Sequence, residues 1–176
     1  LAIEAEDAKS IFRAEINIGQ RIVQVGFMRE YDSAHQKVKK LLESGDLGSP
    51  LFFRGLHYES KSLPPVNSTG QCGERHIRDV IVGSAIHDIH SAHWIMGQEI
   101  VQVYVQHVPD KTERPETCRF LIINLEFRDG SLGILQVNSD AGYGYEVEVT
   151  GEKGKVKSPS STAPIVRFSG RLSQDH

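Results

Sequence analysis

The hydrophobic period of this chain changes at Gly97, and that change restricts its possible folds more than any other feature. From Ser84 to Met96, Ala85, Ile89, Ala92 and Met96 recur at the spacing of one helical face, and Gly97 supplies a stop. Beyond Gly97 the period is that of half-buried strands. Val101, Val103 and Val105 alternate with Gln102, Tyr104 and Gln106, and Leu121, Ile123, Leu125 and Phe127 form the inward face of the next strand. Asp129-Gly130 predicts a type I′ hairpin into Ser131–Val137. Tyr145, Val147 and Val149 alternate with Glu146 and Glu148, Glu152-Lys153-Gly154 makes the next turn, and Ile165–Phe168 is a candidate last strand. Strands of this kind have one face to bury and one to wet. The expected fold is therefore α+β: an open, mostly antiparallel sheet with helices packed on one face.

The first half adds the helices. Ile3 to Ile18 has Ala5, Ala8, Ile11, Phe12 and Ile16 at helical spacing, acidic residues in its first turn and Gly19 at its end. Ile22–Phe27 reads as an apolar strand of the kind buried on both faces of a parallel sheet. A second helix is expected from about Ala34 to Ser44, with Asp32 and Ser33 as N-cap candidates and Val38, Leu41 and Leu42 on its apolar face. Leu51–Tyr58 is a strand, and a polar segment of about twenty residues after it has the length of a functional or mobile loop.

The chain has 176 residues, which suits one domain of ordinary size. A net charge of -3 offers no basic excess for nucleic acid. No apolar run is long enough for a bilayer and the start lacks a signal-peptide pattern, so the cytoplasm is the expected location. Cys72 and Cys118 stand at no metal or redox spacing and are expected to be reduced thiols. The Asn67-Ser68-Thr69 sequon carries no weight without secretion.

Candidate chemistry concentrates in Ser84-Ala85-Ile86-His87-Asp88-Ile89-His90-Ser91-Ala92-His93-Trp94. One reading makes these histidines ordinary members of an amphipathic helix. A second gives His87 the role of general base: if Ser84 caps the helix, His87 sits in the first turn, where the macrodipole disfavours imidazolium and keeps the ring neutral. A third is a metal site. His87, His90 and His93 spread over too wide an arc for easy shared coordination, and neither HExxH nor a cysteine pair supports it.

Four segments, in order, carry a resemblance: Gln24–Asp32, Leu42–Leu51, Ser84–Ile89 and Tyr143–Gly154. Together they make the chain similar to the inositol dehydrogenase branch of the glucose–fructose oxidoreductase, inositol dehydrogenase and MocA (Gfo/Idh/MocA) oxidoreductases, over nearly its whole length. The resemblance implies a two-domain parent, with a Rossmann domain that binds NAD or NADP and a C-terminal domain of the dihydrodipicolinate-reductase-like kind. Residues 1–28 then look like the last helix and strand of the Rossmann half, and residues 29–176 like the C-terminal substrate and oligomerisation domain, short at its C-terminal end. The glycine-rich phosphate turn and the Glu-Lys-Pro segment of the family do not occur here, so the fragment alone is expected to bind no dinucleotide and to be inactive.

The resemblance also assigns residues. His87 matches the histidine that takes the hydroxyl proton as hydride leaves the neighbouring carbon. Gly83 stands where an aspartate or asparagine usually orients that histidine or the substrate, and Ser84 matches a small hydroxyl residue beside the substrate, capping being its alternative role. Met28 and Arg29 match a substrate-lining pair, with packing and a solvated charge as the alternative. His57 matches a site histidine whose neighbouring asparagine is here Glu59, and either Tyr143 or Tyr145 matches a substrate contact, Tyr145 being also a candidate core residue. His90 replaces a common acidic residue. No metal is implied. The parent is expected to act on a secondary alcohol of an inositol, sugar or polyol with NAD or NADP and to form a homo-oligomer through its sheet face. The alternative is a non-catalytic oligomerisation or binding module with the same fold.

Overall fold

The computed structural model describes residues 2, 4–58, 76–109, 115–138, 144–158 and 167–170, the last span by its backbone. Helix α1 (Ala5–Ile18) ends at Gly19, whose φ of 71° is the left-handed conformation that glycine adopts without steric cost. None of its residues is buried, and Phe12, Ile16 and Ile18 are exposed. Residues 22–27, expected as a strand, form none here. A buried parallel strand needs neighbours on both edges, and Ile22, Val23 and Val25 instead face outward. A single 3₁₀ turn, Met28–Tyr31, leads to α2 (Ser33–Glu43).

Asp32 caps α2 as expected, accepting hydrogen bonds from the backbone N–H groups of Ala34 and His35. Strand β1 (Pro50–Tyr58) follows. The next helical segment begins earlier than periodicity predicts: α3 (Ile77–Val80), a π-helical turn (Ile81–Ala85) and α4 (Ile86–Met96) run on without leaving right-handed helical geometry. The cap of this run is His76, whose ring accepts from the Arg78 N–H, and Gly97 ends it at φ 63°.

The remaining strands are β2 (Ile100–Val108), β3 (Phe120–Phe127), β4 (Leu132–Asn138), β5 (Gly144–Gly151), β6 (Gly154–Ser158) and β7 (Arg167–Gly170). Among the described residues they form one sheet in the order β2-β3-β4-β1-β5-β6-β7, antiparallel except for the parallel pair β1–β4. The α+β architecture therefore stands. The turn at Asp129-Gly130 is of another type, because only Gly130 has positive φ (85°) whereas a type I′ turn needs it at both central residues. Gly130 N–H donates to the Phe127 carbonyl, Phe127 N–H to that of Ser131, and Asp129 Oδ1 accepts from Ser131 N–H and Oγ–H.

α4 packs on β1 and β4, and α2 on β6. The core lies between, with Phe53, Leu121, Phe127, Leu135, Val147, Val149 and Val156 from the sheet meeting Val38, Ala85, Ala92 and Ile95 from the helices. Each buried Val, Leu, Ile or Phe side chain here contributes roughly 1.5–3 kcal/mol relative to exposure. Among the described residues no helix packs extensively on β2, and Val101, Val103 and Val105 are exposed despite their alternation. Among the described residues no helix is long and apolar enough to cross a membrane.

Candidate functional site

The helix register decides which way each candidate points. His87 and Asp88 are neighbours on α4, about 100° apart around its axis, so they serve different surroundings. Asp88 is buried against the sheet, where Gly55 on β1 leaves room: a Cβ added at Gly55 would stand 2.9 Å from Leu135 Cδ2 and 3.7 Å from Asp88 Oδ1. Two residues along the same face of β1 is His57, whose Nδ1 lies 2.8 Å from Asp88 Oδ2. Arg29 closes the group. Its guanidinium donates to Asp88 Oδ1, and its Nη2 is 3.2 Å from His57 Nδ1. All three residues are buried, and pairing makes such burial tolerable for Arg29 and Asp88. The reading of Arg29 as a solvated charge is thereby corrected.

A second polar cluster adjoins the first through the aromatic ring of Tyr145, 4.9 Å from the Arg29 guanidinium. The Tyr145 hydroxyl donates to Asp32 Oδ2 at 3.3 Å, and Asp32 Oδ1 is 2.9 Å from Nδ1 of the fully buried His35. Burial pushes the His35 pKa below its ordinary value, outweighing the opposing pull of Asp32. Burial alone would raise the Asp32 pKa, but the hydrogen bonds from the His35 backbone and ring bring it below the usual carboxylate value. Tyr145 is thus a half-buried polar neighbour of the site rather than plain core.

His87 faces a cavity of about 530 Å³ lined by α1, Val23, Val25, Gly26, Phe27, Ile81, Val82 and Ile86. The Phe27 ring meets His87 edge-on at 6.3 Å and stacks on His90 at 3.8 Å. His90 Nε2 is 3.0 Å from Glu30 Oε1, so the histidine that stands in for an acidic residue carries an acidic partner of its own. Burial lowers the His90 pKa despite Glu30. Met28 and Gly83 are exposed, and a Cβ at Gly83 would meet nothing within 4 Å. Tyr143 and Glu59 lie outside the described residues, as does Cys72, while Cys118 is a buried free thiol with its pKa raised by burial to about 11.

Residues 35–157 match the GFO/IDH/MocA C-terminal domain. The chain belongs to the GFO/IDH/MocA family. Inositol 2-dehydrogenase of Rubrobacter xylanophilus is 37% identical over 99% of this chain and 48% of its own length, and that of Salmonella typhimurium 31% identical over 99% and 50%. The chain thus spans about half the length of the curated relatives it matches. Among solved structures, myo-inositol dehydrogenase from Lactobacillus casei in complex with NAD(H) and myo-inositol superposes with a TM-score of 0.77 at 25% identity, covering 99% of this chain and 52% of that one. A probable dehydrogenase from Thermotoga maritima gives 0.77 at 24% identity, over 98% and 54%, and supports the fold.

Within this GFO/IDH/MocA domain two expectations are overturned. Ser84 caps no helix: it is buried in the π-helical turn, in the middle of the helical run that starts at Ile77. His87 is consequently not in a first helical turn, and the macrodipole argument for its neutrality fails, because that effect fades within about one turn of the terminus. Asp88 is the residue that sequence reasoning missed. Its signal was a carboxylate among the small and apolar residues of the helix face that carries Ala85, Ala92 and Ile95, a placement that demands a cationic partner. Among the described residues no group of three His, Cys, Asp or Glu side chains is arranged to hold a metal ion.

A pyrophosphate wants unsatisfied N–H groups at a helix N-terminus; among the described residues the first turn of α1 carries Glu6 and Asp7, the N-terminus of α2 is occupied by the Asp32 carboxylate, and that of α3 by the His76 ring.

Proposed function

We propose that this chain is the substrate-side half of an NAD- or NADP-dependent oxidoreductase that oxidises a secondary alcohol of an inositol, sugar or polyol, or reduces the matching ketone. Residues 29–176 would be its C-terminal domain, and residues 1–28 the last helix and strand of the nucleotide-binding domain. The observation that carries the reading is the position of His87, at the wall of an open cavity on the helix whose next residue secures Arg29 and His57. Membership of the family and the likeness to inositol 2-dehydrogenases support the substrate class.

The nicotinamide, held by other parts of the full-length protein, supplies the hydride acceptor. This chain's task is to hold the alcohol and handle its proton. His87 takes the proton of the hydroxyl as the carbinol carbon becomes a carbonyl, and returns it in reduction. Arg29, His57, Ser84, Met28 and a tyrosine, Tyr143 or Tyr145, would surround the remaining hydroxyls. Gly83 itself has no side chain with which to orient His87 or the substrate, and this is the one observation that favours the second reading, a non-catalytic oligomerisation or binding module. In either case the open face of the sheet, opposite the helices, is the surface through which copies would associate.

The test is reduction of NAD and of NADP by the full-length protein against a panel of inositols, aldoses and linear polyols, with Gly83→Asp in parallel. Turnover on at least one member is the expected result. A folded, cofactor-binding protein inactive in both forms would transfer the assignment to the non-catalytic module.

A further inference from the structure

We propose that β2 pairs edge to edge with β2 of a second copy of this chain, antiparallel about Tyr104, so that two sheets become one. This interface is separate from the open sheet face named above and does not depend on the proposed activity. β2 ends the sheet, and among the described residues no strand lies beyond it. Val101, Val103, Tyr104, Val105 and Val108 are each between 41% and 61% exposed. A free edge is a template for another strand unless charge, proline or a bulge blunts it. Over its nine residues β2 carries no Asp, Glu, Lys, Arg or Pro, and the irregularity in its pairing lies at its start, between Ile100 and Gln102. The opposite end of the sheet differs: β7 has four residues, one of them Arg167.

The sequence of the strand is what selects a second copy as the partner. Outward from Tyr104 it repeats itself: Val103 and Val105, Gln102 and Gln106, Ile100 and Val108. An antiparallel partner in that register sets Val103 against the partner's Val105, Gln102 against the partner's Gln106 and Tyr104 against the partner's Tyr104, with no like charges opposed. The unlike pair, Val101 with His107, falls where the irregularity already takes Val101 out of register. The faces agree as well. Val103 and Val105 lie opposite Leu125 and Ile123 of β3, which belong to the buried core, so they stand on the helix side of the sheet. Pairing therefore carries that apolar stripe across the junction, while Tyr104 meets its own copy on the other side. Because the contact is the same patch on both copies, it closes at two and does not propagate.

The experiment is oxidative disulfide cross-linking of the full-length protein carrying single cysteines, with wild type as the control for Cys72 and Cys118. Tyr104→Cys faces itself across the ladder at about 4.5–5.5 Å between Cα atoms and is expected to give a covalent dimer. Val103→Cys and Val105→Cys are expected to cross-link when co-expressed and not singly, because each meets its own copy only on the diagonal, at roughly 7–8 Å, past the reach of a disulfide. Sedimentation equilibrium gives a second readout: Tyr104→Lys, which opposes two lysines, is expected to halve the mass of the assembly with the far-UV circular dichroism unchanged. A monomeric wild type overturns the proposal, as does an assembly in which none of these pairs cross-links or whose mass Tyr104→Lys leaves unchanged. Cross-linking at Tyr104 without the Val103–Val105 pair overturns it too, since it would mean that open faces meet, and only edge pairing brings residues of the helix side together. All of these readouts are independent of turnover, so failure of the proposed activity leaves them standing.

Discussion

At the scale of single residues, burial and pairing govern what the histidines do. His35 is fully buried and its pKa is depressed chiefly by desolvation, so the unfolded chain binds a proton more readily than the folded one in the window below the ordinary histidine value of about 6.5. Its stabilising contribution is complete above that value and is lost as pH falls through the lower folded-state pKa. His90 acts in the same direction, and the lowered Asp32 pKa extends the loss to more acidic pH. Denaturant melts of the full-length protein as a function of pH should therefore show stability falling on acidification below about 6.5, with a shallower fall in His35→Gln. Equal slopes in the two proteins would show that His35 is not a source of the dependence. Little of this was legible in the sequence. Local periodicity places His87 and Asp88 on one helix, but the partners of Asp88 are Arg29 and His57, 59 and 31 residues away, and no local pattern reports a contact at that separation.

At the scale of elements, legibility followed periodicity. Asp32 was recognisable as a cap because capping is a local event, and Leu121, Ile123, Leu125 and Phe127 were recognisable as an inward face because a paired strand with one covered side alternates strictly. The start of the long helical run was not, because Ser84 resembles a cap and the π-helical turn interrupts the apolar spacing upstream of it. Residues 22–27 show the converse: they have a strand's composition without strand partners. One close approach between elements is sharply testable. A Cβ added at Gly151, the end of β5, would stand 2.3 Å from the Leu47 carbonyl oxygen, a contact that only backbone movement relieves. Gly151→Ala is expected to destabilise the protein by about 1–3 kcal/mol, whereas Gly83→Asp, in open space, should change stability by less than about 1 kcal/mol. Chemical denaturation of both variants provides the check, and a neutral Gly151→Ala would mean that the loop at Leu47 yields freely.

At the scale of the whole molecule, the described helices that pack on the sheet all do so on one side, and the polar cluster lies on that side, where α4 crosses β1. This division lets the fold accommodate a buried Arg29–Asp88 pair: the apolar core along β3, β4 and β5 carries the fold, and the cluster ties α4 to β1 and to Arg29. The exposed apolar residues of α1 and of 22–27 surround the cavity at His87, so that histidine lies between the sheet domain and the N-terminal segment. Proton transfer at that place is the central claim. The measurement that tests it most directly is kcat/KM for the full-length protein on its best polyol substrate, wild type against His87→Ala, with nicotinamide-cofactor affinity measured alongside. The account predicts a loss of about 10²–10⁴-fold at unchanged cofactor affinity, and a His87→Ala enzyme with wild-type turnover would contradict it.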